Sequence, residues 1–347
     1  MPFRLAFPVS PLTLAHSTAT INALSDNPPR RAIPIDAVRE AAAAQTGVVV
    51  RTPLLRIDTG DHPGAPDLYV KLESLQPIGS FKIRGAWNVV RQMTAEQLRQ
   101  GVWTVSAGNA AQGVAFAARR AGAHCSVMIM DTAPDTKLRA IERLGARAVP
   151  ASYDECWRTV ETHASSRMEG VFIHPFDDDR FIAGNGTIGL EILEDLPDVA
   201  AVVAPLGGGG LLAGLAAAIR PTRPSVRLFA AEPETAAPLS ASLAAGAPIS
   251  FEGWRTSFVD GAGGKSVLPS MWPLLNALDG SLVVTLEDAA RAMRFVAERA
   301  RTIAEGAAAC AVAAALDGRA GAGPVVAIIS GGNVDLSTFA SLTGACA

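Results

Sequence analysis

Four short stretches combine small residues with a polar side chain that could take part in chemistry. Lys82 follows a Gly-Ser-Phe run, four consecutive glycines occupy positions 207–210, and the other two stretches begin at Ser106 and Ser330. Burial lowers the pKa of a lysine, and the neutral amine can then form a Schiff base with a carbonyl group. Most lysines are solvated surface charges, so the hexapeptide SFKIRG alone leaves both interpretations of Lys82 open.

The four glycines Gly207, Gly208, Gly209 and Gly210 lie between a predicted buried strand and a predicted helix. Without Cβ atoms, their amides can point at one anion, and a phosphate there also benefits from the helix N-terminus. The run contains no Arg or Lys and no GxxxxGK[ST] pattern, which argues against a nucleoside triphosphate. It predicts a site for a ligand with one phosphate, in preference to a flexible turn.

Two further turns follow predicted strands. The turn at residues 106–109, SAGN, precedes a helix and could hold a carboxylate through its N–H groups, although Ser or Asn at a helix start is also a common N-cap. Ser330, in the turn SGGN, offers one hydroxyl at the carboxyl end of a strand. Alone, the first turn fits either role, and the second is typical of a strand-ending turn.

An alternation of strand and helix patterns must position these turns. Residues 99–175 contain three predicted strands separated by two helices, which indicates right-handed crossovers and a parallel sheet covered on both faces. The fold class is therefore α/β, with two doubly wound α/β lobes and the ligand in the cleft between them. We expect a large cofactor-binding domain from residues 1–98 and 176–347, and a small substrate-loop domain from residues 99–175.

The composition restricts the partners. With 30 basic and 33 acidic residues the net charge is −3, so no basic field is available for nucleic acid. Four dispersed cysteines without CxxC spacing are typical of a reduced, cytoplasmic protein. Charges or prolines break every apolar run before it reaches membrane-spanning length, and Pro8 and Pro11 interrupt the stretch that a signal peptide would need. A small molecule is the expected partner.

Six stretches, in family order, resemble the pyridoxal-phosphate enzymes of the threonine and serine dehydratase group. This group has fold type II, the tryptophan synthase β-like fold, and the resemblance covers roughly residues 52–336. The matching stretches are SFKIRGA (80–86), SAGNAAQGVA (106–115), HPFDD (174–178), GNGTIGLEIL (184–193), GGGG (207–210) and SGGNVD (330–335).

The resemblance implies pyridoxal 5'-phosphate as the cofactor and assigns residues to it. Lys82 would hold the cofactor covalently and act as the base on the substrate Cα. Phe81 would pack against the pyridine ring, Asn109 would bind the ring 3-hydroxyl, and Ser330 would meet the pyridine nitrogen. The amides of Gly207, Gly208, Gly209 and Gly210 would bind the phosphate.

The same resemblance implies a substrate loop and a reaction. Ser106, Ala107, Gly108, Asn109 and Ala110 would receive the substrate carboxylate. The Ser330 hydroxyl cannot keep the pyridine nitrogen protonated as a carboxylate can, so the cofactor ring withdraws electrons more weakly. A less stabilised carbanion favours loss of a β leaving group over reprotonation or transamination. The implied activity is a threonine/serine dehydratase-like ammonia-lyase, which converts a β-hydroxy amino acid to a 2-oxo acid and ammonia.

Two positions depart from the group's pattern. Ala110 stands where a histidine is common, which indicates either neutral drift or a pocket remodelled for a bulkier side chain. Ala107 stands where related racemases have a second serine, so the proton donor on the opposite face of Cα is absent. This favours elimination over the alternative activity, an amino-acid racemase of the serine racemase type. A cofactor-binding protein without activity is a third hypothesis.

The resemblance also suggests features that the motifs do not specify. Glu232, in AAEPETAAP, is a candidate ligand for a monovalent or divalent cation, but residues 235–238, TAAP, provide no second carboxylate. Glu305 matches a glutamate near the cofactor ring, although a solvated helix position would also explain it. A homo-oligomer, specifically a dimer, is expected.

Overall fold

The computed structural model describes residues 31–344 apart from residues 61, 63 and 134. The first thirty residues, with Pro8 and Pro11, and the last three residues of the predicted large domain lie outside this part. Within it, the strands are β1 (Leu54–Ile57), β2 (Asp67–Lys71), β3 (Val102–Val105), β4 (Cys125–Met130), β5 (Arg147–Ala151), β6 (Val171–Phe172), β7 (Ala201–Pro205), β8 (Arg227–Pro233), β9 (Gly280–Val284) and β10 (Pro324–Ile328).

Helices alternate with these strands along most of the chain. Two 3-10 turns, at Glu73–Leu75 and Asp260–Ala262, supplement them. The α-helices are α1 (Ile35–Ala44), α2 (Lys82–Val90), α3 (Ala95–Gln100), α4 (Asn109–Arg120), α5 (Asp135–Arg143), α6 (Tyr153–Thr162), α7 (Asp179–Asp195), α8 (Gly210–Ile219), α9 (Pro238–Ala245), α10 (Trp272–Leu275), α11 (Leu286–Ala300), α12 (Gly306–Leu316) and α13 (Leu336–Thr343).

The strands form two sheets. The smaller sheet has the order β5-β4-β3-β6 and is parallel throughout. The larger has the order β1-β2-β10-β7-β8-β9 and is parallel except for the antiparallel pair β1–β2. The α/β fold class is confirmed. The domain boundaries stay predictions; the small sheet takes its strands from residues 102–172.

Small residues let helices lie close to one another and to the larger sheet. Ten of the eleven residues of α12 are buried, and its alanines pack against the sheet. In α7, an added Cβ at Gly184 would lie 2.4 Å from the carbonyl oxygen of Arg84, and one at Gly186 would lie 2.8 Å from that of Gly214. The glycines of GNGTIGLEIL therefore permit α7 to pack directly against α2 and α8.

The strand order brings three turns to one edge of the larger sheet. The strands β2, β10 and β7 are neighbours and run parallel, so their carboxyl ends lie side by side. The chain leaves β2 toward Lys82, β10 toward Ser330 and β7 toward the glycines at 207–210. Ligands of open α/β sheets bind at such an edge. None of the described helices is both long and apolar enough to cross a membrane.

Candidate active site

The loop that carries Lys82 is joined to the turn after β10. Ser80 forms an antiparallel bridge with Gly331, and the Phe81 N–H donates to the Ser330 carbonyl oxygen at 3.0 Å. Helix α2 then begins at Lys82. Ser80 is fully buried, and its hydroxyl has no hydrogen-bond partner among the described residues. An unpartnered buried hydroxyl beside the lysine is a group that a polar ligand could satisfy.

The amine of Lys82 lies in an apolar environment. Its side chain is half-buried, and Nζ donates to the Pro175 carbonyl oxygen at 2.7 Å. The ring centroids of Phe81 and Phe181 are 5.3 and 5.4 Å from Nζ. Burial lowers the pKa of Lys82 from 10.5 to about 8, against the opposing effect of the Glu305 carboxylate. A substantial fraction of this amine is therefore neutral near physiological pH, as a nucleophile or base requires.

The other three lysines of the chain have different partners. Lys71 is buried and pairs with Glu191 at 2.6 Å, and Lys137 pairs with Asp260. Lys265 lies over the rings of Tyr153 and Trp254. Lys82 has no carboxylate within ion-pairing distance in the described part of the chain, and it contacts a carbonyl oxygen instead. Its surroundings fit a reactive amine better than a structural charge.

A buried ion-pair network holds the first turn of α2. Arg84 is completely buried and pairs with Glu73 at 2.7 Å and with Glu191 at 2.6 Å, while Thr187 accepts a further hydrogen bond at 3.0 Å. Although burial alone would raise it, the Arg84 guanidinium holds the pKa of Glu73 below its ordinary value. This network was not predicted from the sequence. The arginine two residues after Lys82, in SFKIRG, is its signal.

At each of the four predicted phosphate-binding glycines, an added Cβ would clash with neighbouring protein atoms. An added Cβ would lie 2.7 Å from the Gly261 carbonyl oxygen at Gly207, 2.1 Å from the Phe176 ring at Gly208, and 2.7 Å from the Phe176 carbonyl oxygen at Gly210. Gly209 has φ of +90°, which favours glycine. The run ends at the first residue of α8. A side-chain-free turn at a helix N-terminus fits an anion such as phosphate.

The turn at residues 106–109 connects β3 to α4. The Gly108 N–H donates to Ser106 Oγ at 3.1 Å, and α4 has no side-chain N-cap. The first N–H groups of a helix lack intrahelical partners, so this helix start can receive a carboxylate. Ala107 is half-buried, whereas Ala110 is 4% exposed.

Asn109 joins two residues that lie far away in sequence. Its Nδ2 donates to Glu305 Oε1 at 2.7 Å, and its Oδ1 accepts from Asn333 Nδ2 at 2.7 Å. Burial, and to a lesser extent Asp260, raise the pKa of Glu305 to about 8. Glu305 is therefore a buried carboxyl group beside the turn that carries Asn109, and not a solvated helix residue. The amide of Asn109 has a second N–H that a ligand could use.

Ser330 is buried between the loop that carries Lys82 and the Asn109–Glu305 pair. It is 2% exposed and lies two residues beyond β10, and its carbonyl oxygen is the acceptor for Phe81. At the next residue, an added Cβ on Gly331 would lie 2.7 Å from Glu305 Oε1. The turn SGGN thus contacts both the loop that carries Lys82 and the Asn109–Glu305 pair.

Glu232 lies apart from this cluster, on β8. Its carboxylate accepts hydrogen bonds from the N–H groups of Leu239 and Ser240, both at 2.8 Å, and from the Ser281 hydroxyl. Burial raises the pKa of Glu232. Both carboxylate oxygens already have donors, so Glu232 holds the N-terminus of α9. This geometry does not favour the predicted cation ligand.

One other group of potential metal ligands occurs among the described residues: His163, His174 and Asp177. His174 Nδ1 accepts from the Asp177 N–H at 2.7 Å, and its Nε2 lies 3.1 Å from the Val160 carbonyl oxygen. Asp177 pairs with Arg31. These contacts account for His174 and Asp177 without a metal ion.

The sequence profile of the family described as "Pyridoxal-phosphate dependent enzyme" matches residues 46–331. The chain belongs to this family. The finding confirms the predicted family and its dependence on pyridoxal phosphate.

Individual relatives agree with this assignment. The chain is 38% identical over 309 residues to the L-threonine ammonia-lyase of Thermotoga maritima, which covers 88% of this chain and 77% of that protein. It is 35% identical to the catabolic L-threonine dehydratase of Escherichia coli K12, over 90% of this chain and 96% of that one. The solved structure of maize serine racemase superposes with a TM-score of 0.81 at 33% identity, over 90% and 97% of the two chains.

Proposed function

We propose that the chain is a pyridoxal-phosphate-dependent ammonia-lyase that converts a β-hydroxy amino acid to a 2-oxo acid and ammonia. The observation that carries the proposal is the amine of Lys82, whose pKa is lowered to about 8 at the sheet edge where the glycine run also begins. The relatives named as threonine ammonia-lyase and threonine dehydratase support the reaction class. Threonine is the first substrate to test.

The residues at this edge fit the cofactor. Lys82 would hold its carbonyl carbon, the amides of residues 207–210 its phosphate, and Ser330 its ring nitrogen, while Phe81 and Asn109 would lie against the ring. When bound, pyridoxal phosphate supplies a conjugated ring that withdraws electrons from the substrate Cα. The Cβ-excluding glycine run and the unpartnered Ser80 hydroxyl support this assignment.

Lys82 would also move the proton. A base with a pKa near 8 can take a proton from Cα and return it near neutral pH. The start of α4, residues 106–110, would hold the substrate carboxylate and so orient Cα toward the amine. The aromatic rings beside Nζ reduce its contact with water and keep the amine partly neutral.

A racemase is the alternative, because the solved serine racemase has the same fold. Racemisation needs a second acid or base on the opposite face of Cα. Ala107 offers only a methyl group at the position where the resemblance places that group in racemases. Together with the names of the sequence relatives, this favours elimination.

Three finer features belong to the proposal. We infer that the enzyme needs no cation at Glu232, since both oxygens of this carboxylate already accept hydrogen bonds. The resemblance implies a homodimer. Three buried free cysteines, Cys125, Cys156 and Cys310, support a reducing compartment such as the cytoplasm.

The test is product release from a panel of amino acids. The purified protein, loaded with pyridoxal phosphate, is incubated with threonine, serine and larger β-hydroxy amino acids, and 2-oxo acid and ammonia are quantified. We expect equal amounts of both products, loss of activity in Lys82→Ala, and retained activity in the matched control Lys137→Ala. Recovered substrate that is racemised without 2-oxo acid formation would favour the racemase. Bound cofactor without any turnover would favour an inactive cofactor-binding protein.

A further inference from the structure

An apolar cavity of about 180 Å³ lies between the small sheet and α6. Met128 and Met130 of β4 form one wall, and Cys156, Trp157 and Val160 of α6 form the other. Burial raises the pKa of the Cys156 thiol to about 11, so this side chain is neutral. A cavity lined in this way binds apolar groups in preference to water or ions.

One end of the cavity is the predicted substrate loop. Val105, the last residue of β3, and the next two residues, Ser106 and Ala107, line it. Ala110 does not belong to the lining residues and is buried in α4. The position at which the sequence suggested a remodelled pocket is therefore not the one that contacts this space. Ala107, whose side chain is a single methyl group, lines this end.

The loop at this end and the hydrogen-bond acceptor of the Lys82 amine follow neighbouring strands. Strand β6 pairs with β3 so that Val171 is opposite Val102, and the Ile173 N–H donates to the Trp103 carbonyl oxygen at 2.8 Å. The chain leaves β3 toward Ser106 and leaves β6 toward Pro175, so both residues follow the carboxyl ends of neighbouring parallel strands. The Pro175 carbonyl oxygen is the acceptor for Lys82 Nζ. Amine, substrate loop and cavity thus meet at one sheet edge.

We propose that this cavity receives the β substituent of the substrate, and that the preferred substrates are β-hydroxy amino acids with an aryl or similarly large apolar group. The inference rests on the proposed function. An apolar cavity of about 150 Å³ can take up benzene, so a phenyl group fits this one. The methyl group of threonine would leave most of it empty. The reaction on 3-phenylserine would be its conversion to phenylpyruvate and ammonia, with no other reactant consumed overall.

Kinetics with two substrates test the assignment. We expect kcat/KM for 3-phenylserine, measured for both diastereomers, to exceed that for threonine by at least about tenfold for one of them. Cys156→Phe fills the cavity and should remove this advantage while threonine is still deaminated. The matched control is Arg158→Phe, which places the same side chain on an exposed position of α6. It should change neither value.

A second measurement uses the unmodified protein, so that it does not depend on the folding of a variant. A small thiol reagent labels Cys156 at pH 9 in the presence of 3-phenyllactate or lactate, which lack the reacting amine. We expect 3-phenyllactate to protect Cys156, lactate not to protect it, and Cys125 to be indifferent to both.

Equal labelling of Cys156 in the presence of 3-phenyllactate and of lactate would overturn the cavity assignment. A higher kcat/KM for threonine than for 3-phenylserine, unchanged in Cys156→Phe, would also overturn it. If no amino acid is deaminated but 3-phenyllactate still protects Cys156, the proposed function fails and the aryl site stands. If threonine is deaminated but 3-phenyllactate does not protect Cys156, the proposed function stands and the cavity assignment fails.

Discussion

The amine of Lys82 should react with a small acylating reagent far below the pH at which an ordinary lysine reacts. Only the neutral amine is nucleophilic, and burial between the Phe81 and Phe181 rings shifts the pKa of Lys82 from 10.5 to about 8. At pH 7.5 the neutral fraction is then about one quarter, compared with about one thousandth for an unperturbed lysine. The difference in reactive amine is about two-hundred-fold.

Limited access of the reagent to Lys82 lowers the acylation rate but does not shift the midpoint of its pH dependence. The Lys82 side chain is half-buried, so part of the two-hundred-fold advantage is lost to slower entry of the reagent. The pH at which the rate reaches half its maximum depends on the pKa alone. We therefore expect this midpoint near pH 8.

The assay is competitive labelling of the cofactor-free protein between pH 6 and 11, followed by peptide mass mapping. The labelling of Lys71, Lys137 and Lys265 is quantified in the same digest, so these lysines are internal comparisons. Pyridoxal phosphate added before the reagent should protect Lys82 selectively. A midpoint for Lys82 at 10.5, or protection of another lysine in its place, would refute the reasoning.

Three further predictions concern the supports of this site. Gly208→Ala puts a Cβ 2.1 Å from the Phe176 ring, and overpacking of this kind costs ~1–3 kcal/mol. We expect cofactor binding at least about tenfold weaker in an absorbance titration. The control Gly264→Ala, whose Cβ would meet ordinary contacts at 3.8 Å, should bind the cofactor normally. Glu73→Gln leaves Arg84 with one carboxylate partner and should lower the free energy of unfolding by ~3 kcal/mol at pH 8 in urea titrations. Since the folded state lowers the pKa of Glu73, its contribution is complete above the ordinary carboxyl pKa and disappears as the pH falls through the lowered value, so the two proteins should converge in acid. Equal stability at pH 8 would contradict the role of the network. Dialysis against a chelator, with tetramethylammonium as the remaining cation, should leave the thermal unfolding midpoint and the activity unchanged, because Glu232 already accepts hydrogen bonds from three donors. If dialysis lowers either quantity and added K⁺, Mg²⁺ or Ca²⁺ restores it, a cation binds.

Local patterns were sufficient to predict the fold class and the turns that could carry the site. The buried strand before Gly207 and the helix after it were evident from hydrophobicity, and the glycine run between them excludes side chains as expected. The strand order, which brings β2, β10 and β7 together, was not predicted, since no local signal carries it. Pairing between strands that are more than a hundred residues apart depends on packing of the whole sheet.

Contacts between distant residues were the part that the sequence could not supply. A solvated helix position also explained Glu305, and only the fold brings its carboxyl group within 2.7 Å of Asn109. The sequence motifs assigned no role to Arg84, which is completely buried. Ala110 attracted attention because it departs from a motif, whereas the cavity borders Ala107. Each case depends on which side chains meet across elements, and local periodicity does not encode this.

The most direct test of the central claim is to trap the cofactor on the protein. The holoenzyme is reduced with borohydride, digested, and searched for the mass of the reduced cofactor on each of the four lysines. The structure predicts one modified peptide, which carries the cofactor on Lys82. Attachment to Lys71, Lys137 or Lys265, or no attachment in a protein that binds pyridoxal phosphate, would contradict the account.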